Sequence, residues 1–443
     1  MTQSAAEREI DRLLTLHPKG FDLSLERIRR LLSRLGDPQK RLPPVIHIAG
    51  TNGKGSAAAF SRAILEAAGL SVHVHTSPHL VNWHERYRIG QKGGGKLVAD
   101  DVLADAVGRV AEANAGESIT VFEILTAVTF VLFSEHPADV CVIEVGLGGR
   151  FDATNVIERP AVSLIMPVSM DHEAYLGDRV ELIAAEKAGI IKPGVPVVIG
   201  QQESTTALDV ILDVAERLDA PAMVYAQDYF GFGENGRMVY QDDSGLMDLP
   251  PPRLVGRHQF ANAAAAIAAV RTAGFTVSES AVADAMGRVE WPGRMQRLVS
   301  GALVDLAPGG SEVWLDGGHN PGAGAVIAEY LAEQEERFPR PVFMIAGMIS
   351  TKDQFGYFQA FEGLVRHVFT VPVGMSDAGV PANELALRAE AAGLSAEPMA
   401  SVSNALSLLR ETWDPTEPAP RILIGGSLYL AGEVLRENGT PPV

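Results

Sequence analysis

The segment from Val45 to Ser56, VIHIAGTNGKGS, constrains the fold more than any other stretch of the chain. Its first part, Val45 to Ala49, is apolar and rich in β-branched residues, which is typical of a buried parallel strand. A glycine-rich turn follows, and Ser56 to Ala68 has the pattern of a helix that leaves this turn. A strand, a glycine-rich loop and a helix in this order predict a phosphate-binding site in an α/β sheet.

The turn itself carries three glycines and one lysine. Gly50, Gly53 and Gly55 allow open or positive φ values that bring several backbone N–H groups onto one anion. The helix dipole adds a partial positive charge, and Lys54 adds a full one for the β- and γ-phosphates of a nucleotide. The alternative is a strand-to-helix turn that binds no ligand.

The strict P-loop pattern G-x-x-x-x-G-K-[ST] is not met in this turn. Ile48 stands where the first glycine belongs, and Gly55 stands where Ser or Thr is expected. Ser56, one residue later, offers a hydroxyl that can lie near Mg²⁺, although the metal hydroxyl can also come from elsewhere in the chain.

Composition and charge exclude several classes of protein. At 443 residues we expect two or three domains, and 47% apolar with 21% charged residues is ordinary for a globular enzyme. The net charge of −18 argues against nucleic acid or an anionic membrane as a partner. The single cysteine, Cys141, indicates a reducing compartment, and the longest apolar stretch, Val121 to Phe133, contains Glu123 and is too short to span a membrane. We therefore expect a cytoplasmic protein without a signal peptide.

Polar residues follow several predicted strands directly, where open α/β sheets bind ligands. The strand Leu70 to His75 is followed by Ser77 and His79, which are both candidate site residues. The alternating His73 and His75 are more typical of packing positions than of ligands.

Two further strand ends carry candidate residues. The stretch Cys141 to Asn155 places Glu144 at a strand end before glycines, which suits Mg²⁺, although a charge facing solvent is the alternative. A strand over Ala161 to Val168 is followed by polar residues 169–173. Lys187 lies in the last turn of a predicted helix, Val180 to Ile190, where a lysine also fits the helix dipole.

The remaining patterns predict helices and one small β segment. Leu23 to Leu35 is a packing helix capped by Asp22 or Ser24, and Glu123 near a helix start also fits a dipole partner. Other predicted elements are helices Ala6 to Leu16, Asp100 to Asn114, Thr120 to Phe133 and His258 to Thr272, a loop or hairpin tip at Gln91 to Lys96, and irregular or antiparallel β structure over Tyr225 to Leu249 with a turn at Asn235-Gly236.

Strands and helices alternate again from about Leu298, which predicts a second doubly wound domain. We place the boundary near Arg297, giving domains 1–297 and 298–443. The expected fold is α/β: a P-loop-containing, doubly wound N-terminal ATPase domain and a smaller Rossmann-like C-terminal domain. We expect the active site in the cleft between them, because the second domain also has polar strand ends.

Seven motifs taken together resemble a known family. The chain is similar to the folylpolyglutamate synthase/dihydrofolate synthase family of the Mur ligase superfamily, and the motifs occur in that family's order over most of the chain. They are GTNGKGS at 50–56, TSPHL at 76–80, EVGLGGRFDATN at 144–155, DHEAYLG at 171–177, EKAGI at 186–190, PGRMQ at 292–296 and DGGHNP at 316–321.

This resemblance implies an ATP-dependent ligase. ATP would phosphorylate a carboxylate of dihydropteroate or of tetrahydrofolate and its polyglutamates, and the amino group of L-glutamate would attack the acyl phosphate, releasing ADP and phosphate. Catalysis would rest on charge neutralisation and alignment. The resemblance leaves open whether one or both folate reactions occur, and it implies a monomer that acts on small molecules.

The resemblance also assigns roles to residues. Lys54, Lys187 and His319 would be catalytic, Ser77, Glu144 and His172 would bind Mg²⁺, with two ions expected, and Lys187 would be carbamylated to N6-carboxylysine. ATP would contact Gly50, Thr51, Asn52, Gly53, Lys54, Gly55, Ser56, Asn262, Arg294 and Asp316. The pterin substrate would contact Asp22, Leu23, Ser24, Phe122, Glu123, Ile124, Leu125, Phe151, Asp152 and Ala153.

Two alternatives to this interpretation are considered. Another Mur-type amino-acid ligase is one, but cell-wall Mur ligases carry a nucleotide-sugar domain before the P-loop, and only 49 residues precede Gly50. The other is a nucleotide-dependent binding module without ligase activity. The second α/β domain and the metal-type residues at several strand ends count against it.

Overall fold

The computed structural model describes residues 4–14 and 24–442, and these form two compact units. The first contains the described residues up to Arg253 together with Phe260–Val289. The second contains Leu254–Gln259 and Glu290–Pro442. No helix in the described part of the chain is long and apolar enough to cross a bilayer.

The first unit is built on an eight-stranded sheet and a separate three-stranded sheet. Its strands are β1 (Val45–Ala49), β2 (Val72–His75), β3 (Tyr87–Ile89), β4 (Lys96–Leu97), β5 (Val140–Glu144), β6 (Val162–Ile165), β7 (Val197–Ile199), β8 (Ala222–Val224), β9 (Tyr229–Glu234), β10 (Arg237–Asp242) and β11 (Gly245–Leu249). The helices that precede or connect them are α1 (Ala5–Leu14), α2 (Glu26–Arg34), α3 (Lys54–Ala67), α4 (Asp100–Asn114), α5 (Val121–Glu135), α6 (Glu173–Leu176), α7 (Val180–Ala188), α8 (Thr205–Arg217), α9 (His258–Thr272) and α10 (Glu279–Arg288).

The strand order of the large sheet is β4-β3-β2-β5-β1-β6-β7-β8. The six strands from β2 to β8 pair in parallel, whereas β3 and β4 pair antiparallel at one edge. Ile48 pairs with Glu144, and Ala49 pairs with Ile165, so β1, β5 and β6 end at the same edge of the sheet. The loops that leave these ends are therefore neighbours.

Two apolar clusters cover the parallel sheet. One contains residues of α1, α2, α4 and α5 together with Val45, Cys141 and Ile143. The other contains residues of α7 and α8 together with strand residues such as Ile165 and Val197. The central strands are buried along their whole length, which explains why they are continuous apolar runs in the sequence.

The second unit has a six-stranded sheet in the order β12-β13-β17-β14-β15-β16, in which only β12 is antiparallel. Its strands are β12 (Gln296–Leu298), β13 (Glu312–Leu315), β14 (Val342–Ala346), β15 (His367–Thr370), β16 (Ala396–Pro398) and β17 (Arg421–Gly425). Its helices are α11 (Pro321–Arg337), α12 (Gln354–Gln359), α13 (Ala382–Ala391), α14 (Val402–Thr412) and α15 (Leu428–Glu437). The predicted α/β class is confirmed for both units.

Several predicted boundaries are wrong by a few residues. The helix predicted from Ser56 begins at Lys54, because Gly53 adopts a φ of 81° and serves as the N-cap. The helix predicted over Leu23 to Leu35 begins at Glu26, and the predicted helix Ala6 to Leu16 is described only as far as Leu14. Within the segment Tyr225 to Leu249, the strands β9, β10 and β11 form an antiparallel sheet, with Asn235 and Gly236 at positive φ in the predicted turn.

Candidate active site

The loop between β1 and α3 is held by the segment that follows β6. Gly50 has a φ of 150°, and a Cβ at this position would lie 2.6 Å from the Cβ of Met166, so the loop requires glycine here. Thr51 N–H donates to the carbonyl of Pro167 at 2.8 Å, and Thr51 Oγ1 donates to the carbonyl of Ser169 at 3.0 Å. The two strand-end loops therefore form one surface at the centre of the sheet edge.

Two lysines meet on a single carbonyl of this loop. Lys54 Nζ donates to Gly50 O at 3.0 Å and to Thr51 O at 3.1 Å, and Lys187 Nζ donates to Gly50 O at 3.0 Å. The carbonyls hold both ammonium groups within the loop that is predicted to bind phosphates. The Lys54 ammonium group and the start of α3 supply positive charge, which makes this loop suitable for a polyanion.

Lys187 is 4% exposed, and its surroundings change its titration. Burial and, less strongly, the positive charge of Lys54 lower the pKa of Lys187 to about 7, whereas Asp171, Asp152 and Glu186 oppose the change. Near neutral pH a substantial fraction of this amine is therefore uncharged and nucleophilic.

Two of the three predicted metal ligands lie side by side. Ser77 N–H donates to Glu144 Oε2 at 3.4 Å, and the buried Ser77 Oγ has no hydrogen-bond partner in the described part of the chain. Glu144 is 5% exposed at the end of β5. A free hydroxyl oxygen beside a buried carboxylate is a donor set that fits a hard divalent cation.

The third predicted ligand, His172, occupies a different local setting. It is the N-cap of α6 with a φ of 55°, its side chain is 42% exposed, and its Nε2 lies 3.9 Å from Asp171 Oδ2. Within residues 4–14 and 24–442, no three His, Cys, Asp or Glu side chains are grouped as a metal site. A metal site built from the predicted ligands would therefore need the Ser77 hydroxyl in addition to Glu144 and His172.

The segment that follows β5 is folded around one carboxylate. Asp152 accepts hydrogen bonds from the N–H groups of Gly146 (3.0 Å), Leu147 (2.9 Å) and Thr154 (2.9 Å), and from Thr154 Oγ1 (2.5 Å). Burial raises the pKa of Asp152, and these four donors oppose the rise. Of the two neighbours predicted to contact substrate, Ala153 is buried and the Phe151 side chain is 40% exposed.

The predicted substrate residues at the start of α5 lie against the same segment. A Cβ at Gly146 would overlap the ring of Phe122, so this ring lies directly on the Gly146 backbone. Glu123 accepts from Thr120 N–H in a capping box at the start of α5, and also from Arg27 Nε at 3.0 Å. Its Oε1 is buried and has no hydrogen-bond partner among the described residues.

The other predicted substrate residues are distributed differently. Ile124 and Leu125 are buried in the apolar cluster under the helices. Ser24 Oγ accepts from Glu26 N–H at 3.1 Å, but the N-cap of α2 is Leu25, so the predicted capping by Ser24 is wrong; Asp22 and Leu23 lie outside the described residues.

The predicted nucleotide contacts fall in both units. In the first unit, Asn262 is buried and lies close to Gly53. A Cβ added at Gly53 would be only 2.7 Å from Asn262 Oδ1. Ser56, in the first turn of α3, is 2% exposed, and Asn52 Nδ2 donates to Ser169 Oγ at 3.4 Å.

In the second unit the predicted residues follow β13. Asp316 accepts from Met295 N–H at 2.7 Å and from Gly318 N–H at 2.6 Å. Burial raises the pKa of Asp316, and the nearby Arg294 guanidinium opposes this change. His319 Nδ1 lies 2.8 Å from Gly317 O, which fixes the ring orientation. Asp316 and Arg294 are thus electrostatically coupled within this unit.

The strand histidines behave as the packing interpretation predicts. His73 stacks on Phe133 with ring centroids 4.5 Å apart, and His75 is fully buried. The candidate His79 lies in the loop after β2, where its ring is tilted by 44° against Trp83 with centroids 4.2 Å apart and its Nδ1 accepts from Arg86 Nε at 3.0 Å.

Sequence reasoning missed two residues that the site depends on. Arg27 pairs with Glu123 across 96 positions, and His47 contacts Thr154 across 107 positions. An arginine in an amphipathic helix and a histidine within an apolar strand carry no local signal of these contacts. Only the arrangement of the helices and strands brings the partners together.

Comparisons with known proteins find similar sequences and similar structures. No protein-family model matches the chain. A folylpolyglutamate synthase of Lacticaseibacillus casei is 32% identical over 433 residues, covering 92% of both chains.

Two solved structures resemble the fold over nearly its whole length. The Escherichia coli FolC in complex with DHPP and ADP gives a TM-score of 0.85 at 29% identity, covering 98% of both chains. A bifunctional folylpolyglutamate synthase/dihydrofolate synthase of Yersinia pestis complexed with AMPPNP and Mn ion gives a TM-score of 0.84 at 29% identity, covering 98% of this chain and 99% of the other.

Proposed function

The chain belongs to the folylpolyglutamate synthase/dihydrofolate synthase family of ATP-dependent ligases, and we propose that it joins L-glutamate to a pteroate or folate carboxylate. The acceptor is dihydropteroate, which gives dihydrofolate, and/or tetrahydrofolate and its polyglutamates. ATP is consumed and ADP and phosphate are released.

One observation carries this proposal: two lysines share the Gly50 carbonyl beside the paired Ser77 and Glu144 at one edge of the sheet. Positive charge in a glycine-rich loop supports binding of the ATP phosphates, and adjacent oxygen donors support a divalent cation. Phosphoryl transfer needs both groups together, because the lysine and the metal ion neutralise the charge of the transferred phosphoryl group.

The chemistry follows from the poor reactivity of a carboxylate towards an amine. The carboxylate oxygen attacks the γ-phosphorus of ATP, ADP leaves, and an acyl phosphate forms. The glutamate nitrogen then attacks the acyl carbon, the carbon–oxygen bond to phosphate breaks, and the nitrogen loses a proton. In this scheme Lys54 stabilises the charge that develops on the transferred phosphoryl group.

The proposed metal site consists of Ser77, Glu144 and His172, with Ser56 as a further neighbour. Mg²⁺ held there, with a second ion, would neutralise phosphate charge. The free Ser77 Oγ and its position beside Glu144 support this assignment.

We propose that Lys187 carries an N6-carboxyl group in the active enzyme. Its neutral amine would attack CO₂ and lose one proton, which converts the amine into an anionic carbamate that can help to hold the second ion. Its burial and its lowered pKa support this modification. Intact-mass and peptide mass spectrometry in bicarbonate buffer test it, and an unmodified lysine in fully active enzyme would refute it.

The proposal divides the substrates between two parts of the chain. Residues 1–297 would hold ATP through the 50–56 loop, Asn262 and Arg294, and the pterin through the segments around Ser24, Phe122 and Asp152. Residues 298–443 would act as the glutamate ligase domain, with Asp316 on the nucleotide and His319 near the acyl phosphate or the incoming glutamate.

We also propose that the enzyme works as a cytoplasmic monomer on small molecules, without nucleic acid or membrane partners. The net charge of −18 and the buried, lone Cys141 support this setting. Light scattering coupled to size exclusion measures the oligomeric state directly.

The decisive experiment measures ADP release with dihydropteroate and with tetrahydrofolate in parallel, each with and without L-glutamate. Release that requires both the pteridine and glutamate is the expected result. Lys54→Ala should lose nearly all turnover, whereas Lys92→Ala, on an exposed turn, should match the wild type. ATP hydrolysis independent of glutamate, or normal ligation by Lys54→Ala, would contradict the proposal.

A further inference from the structure

A buried histidine on the central strand is connected to the segment that carries Asp152. His47 lies on β1, three residues before Gly50, and is 0% exposed. Its Nε2 is 2.9 Å from Thr154 Oγ1, and Thr154 Oγ1 donates to Asp152 Oδ1 at 2.5 Å. The three side chains therefore form a continuous chain of hydrogen bonds.

The direction of these hydrogen bonds is determined by the threonine. A threonine hydroxyl has one proton, and Thr154 gives that proton to the Asp152 carboxylate, so its oxygen can only accept from the histidine. His47 must therefore carry its proton on Nε2 and act as a donor. Burial lowers the pKa of His47 to about 3, and the ring is neutral at physiological pH.

The far end of this chain organises the loop after β5. The second carboxylate oxygen of Asp152 accepts from the N–H groups of Gly146 and Leu147, which immediately follow the strand that ends at Glu144. Gly146 in turn supports the ring of Phe122. Movement of the Asp152 carboxylate would thus displace the predicted pterin-contacting residues on both sides of it.

Packing alone does not account for a histidine at position 47. His47 Nδ1 is buried with no hydrogen-bond partner among the described residues, which costs stability that an aliphatic side chain would not cost. The neighbouring strand positions, Ile46 and Ile48, are aliphatic and fully buried. The polar side chain at position 47 is therefore accounted for by its Nε2–H donor.

We propose that His47 is a positioning residue of the folate-side site, which acts through Thr154 to orient the Asp152 carboxylate and the loop after β5. This inference rests on the proposed function, since it assigns residues 151–153 and Phe122 to the pterin. It concerns affinity for the pteroate substrate and predicts no change in nucleotide binding.

Matched variants separate the donor from simple packing. Thr154→Val keeps the shape and removes the hydroxyl, whereas Thr154→Ser keeps the hydroxyl. His47→Gln can place an amide N–H near the original Nε2, whereas His47→Asn is too short to reach and His47→Leu has no donor. The readouts are the KM for dihydropteroate and, independently of turnover, the Kd for ADP by calorimetry.

We expect Thr154→Val and His47→Leu to raise the KM for dihydropteroate about tenfold, as one lost buried hydrogen bond implies. The KM of Thr154→Ser and of His47→Gln should stay within about threefold of the wild-type value. The Kd for ADP should stay within about twofold of the wild-type value in every variant. A wild-type KM in Thr154→Val, or equal losses of dihydropteroate and ADP affinity, would overturn the inference. If His47→Leu does not fold, the Thr154 pair decides.

A measurement without turnover distinguishes failure of this inference from failure of the proposed function. Nitrogen NMR of histidine-labelled protein should show His47 as the Nε2–H form, unchanged between pH 5 and about 8. An Nδ1–H form refutes the hydrogen-bond chain even if the enzyme is an active ligase. If the wild type does not ligate glutamate, the proposed function fails. The proposal that the hydrogen bonds from His47 to Asp152 support a pterin site then fails with it.

Discussion

Lys187→Met should make the protein more stable at neutral pH and remove part of the pH dependence of its stability. The pKa of Lys187 is about 7 in the folded protein and 10.5 in an unperturbed lysine, so the unfolded chain binds more protons between these values. Below pH 7 Lys187 is protonated in both the folded and the unfolded protein, and burial of its charge opposes folding with its full effect. As the pH rises from 7 towards 10.5 this penalty disappears and the wild type gains stability.

The magnitude follows from the difference between the two pKa values. At about 1.4 kcal/mol per pH unit, the full penalty is about 5 kcal/mol, and the wild type should gain about 2 kcal/mol between pH 7 and pH 9. Loss of the hydrogen bond from Lys187 Nζ to Gly50 O offsets the gain in Lys187→Met by about 1 kcal/mol. The variant should still be more stable than the wild type at pH 7.

Urea denaturation in CO₂-free buffer, followed by circular dichroism from pH 6 to 9, measures this difference. Removal of CO₂ keeps the lysine unmodified, and Lys92→Met, at an exposed position, is the matched control that should follow the wild type. Parallel stability curves for the wild type and Lys187→Met would show that the folded pKa of Lys187 is not lowered. The account of its reactivity would then fail.

Two further predictions concern the substrate side of the first unit. Gly146→Ala should raise the KM for the pteroate substrate about tenfold in steady-state kinetics, because the new Cβ overlaps the Phe122 ring. Gly108→Ala is the control, since a Cβ at Gly108 meets no atom within 4 Å. Equal KM values for the two variants would contradict the assignment of Phe122 to the pterin. Glu123→Gln should lower the free energy of unfolding by about 1 to 3 kcal/mol in urea titration, because Arg27 loses its buried partner, and an unchanged midpoint would show that this ion pair contributes nothing.

Much of the fold was predictable because its signals are local. The apolar run Val45 to Ala49, the glycine-rich turn and the following helix depend on side-chain sterics and backbone freedom within a few residues. The alternation of strands and helices in both units is likewise a property of short windows of sequence. Helix ends were predicted less well, because the first turn of α3 is determined by the φ of Gly53.

The candidate site was only partly predictable for a different reason. Lys187 reaches the Gly50 carbonyl from 137 positions away, and Arg27 and His47 find their partners across 96 and 107 positions. These contacts depend on the strand order β2-β5-β1-β6 and on the packing of α2, α5 and α7, which no local periodicity specifies.

The sequence by itself determined that Lys54 lies in a glycine-rich turn after a buried strand, and that Ser77 and Glu144 follow two other strands. Turn chemistry and hydrophobic patterning are sufficient for that, because they act between near neighbours. Only the tertiary structure decided that Lys54 and Lys187 share one carbonyl, that Ser77 lies beside Glu144, and that Lys187 is buried enough to lose its charge near pH 7. Burial and electrostatic coupling are properties of groups that folding brings together, and their positions in the sequence do not reveal them.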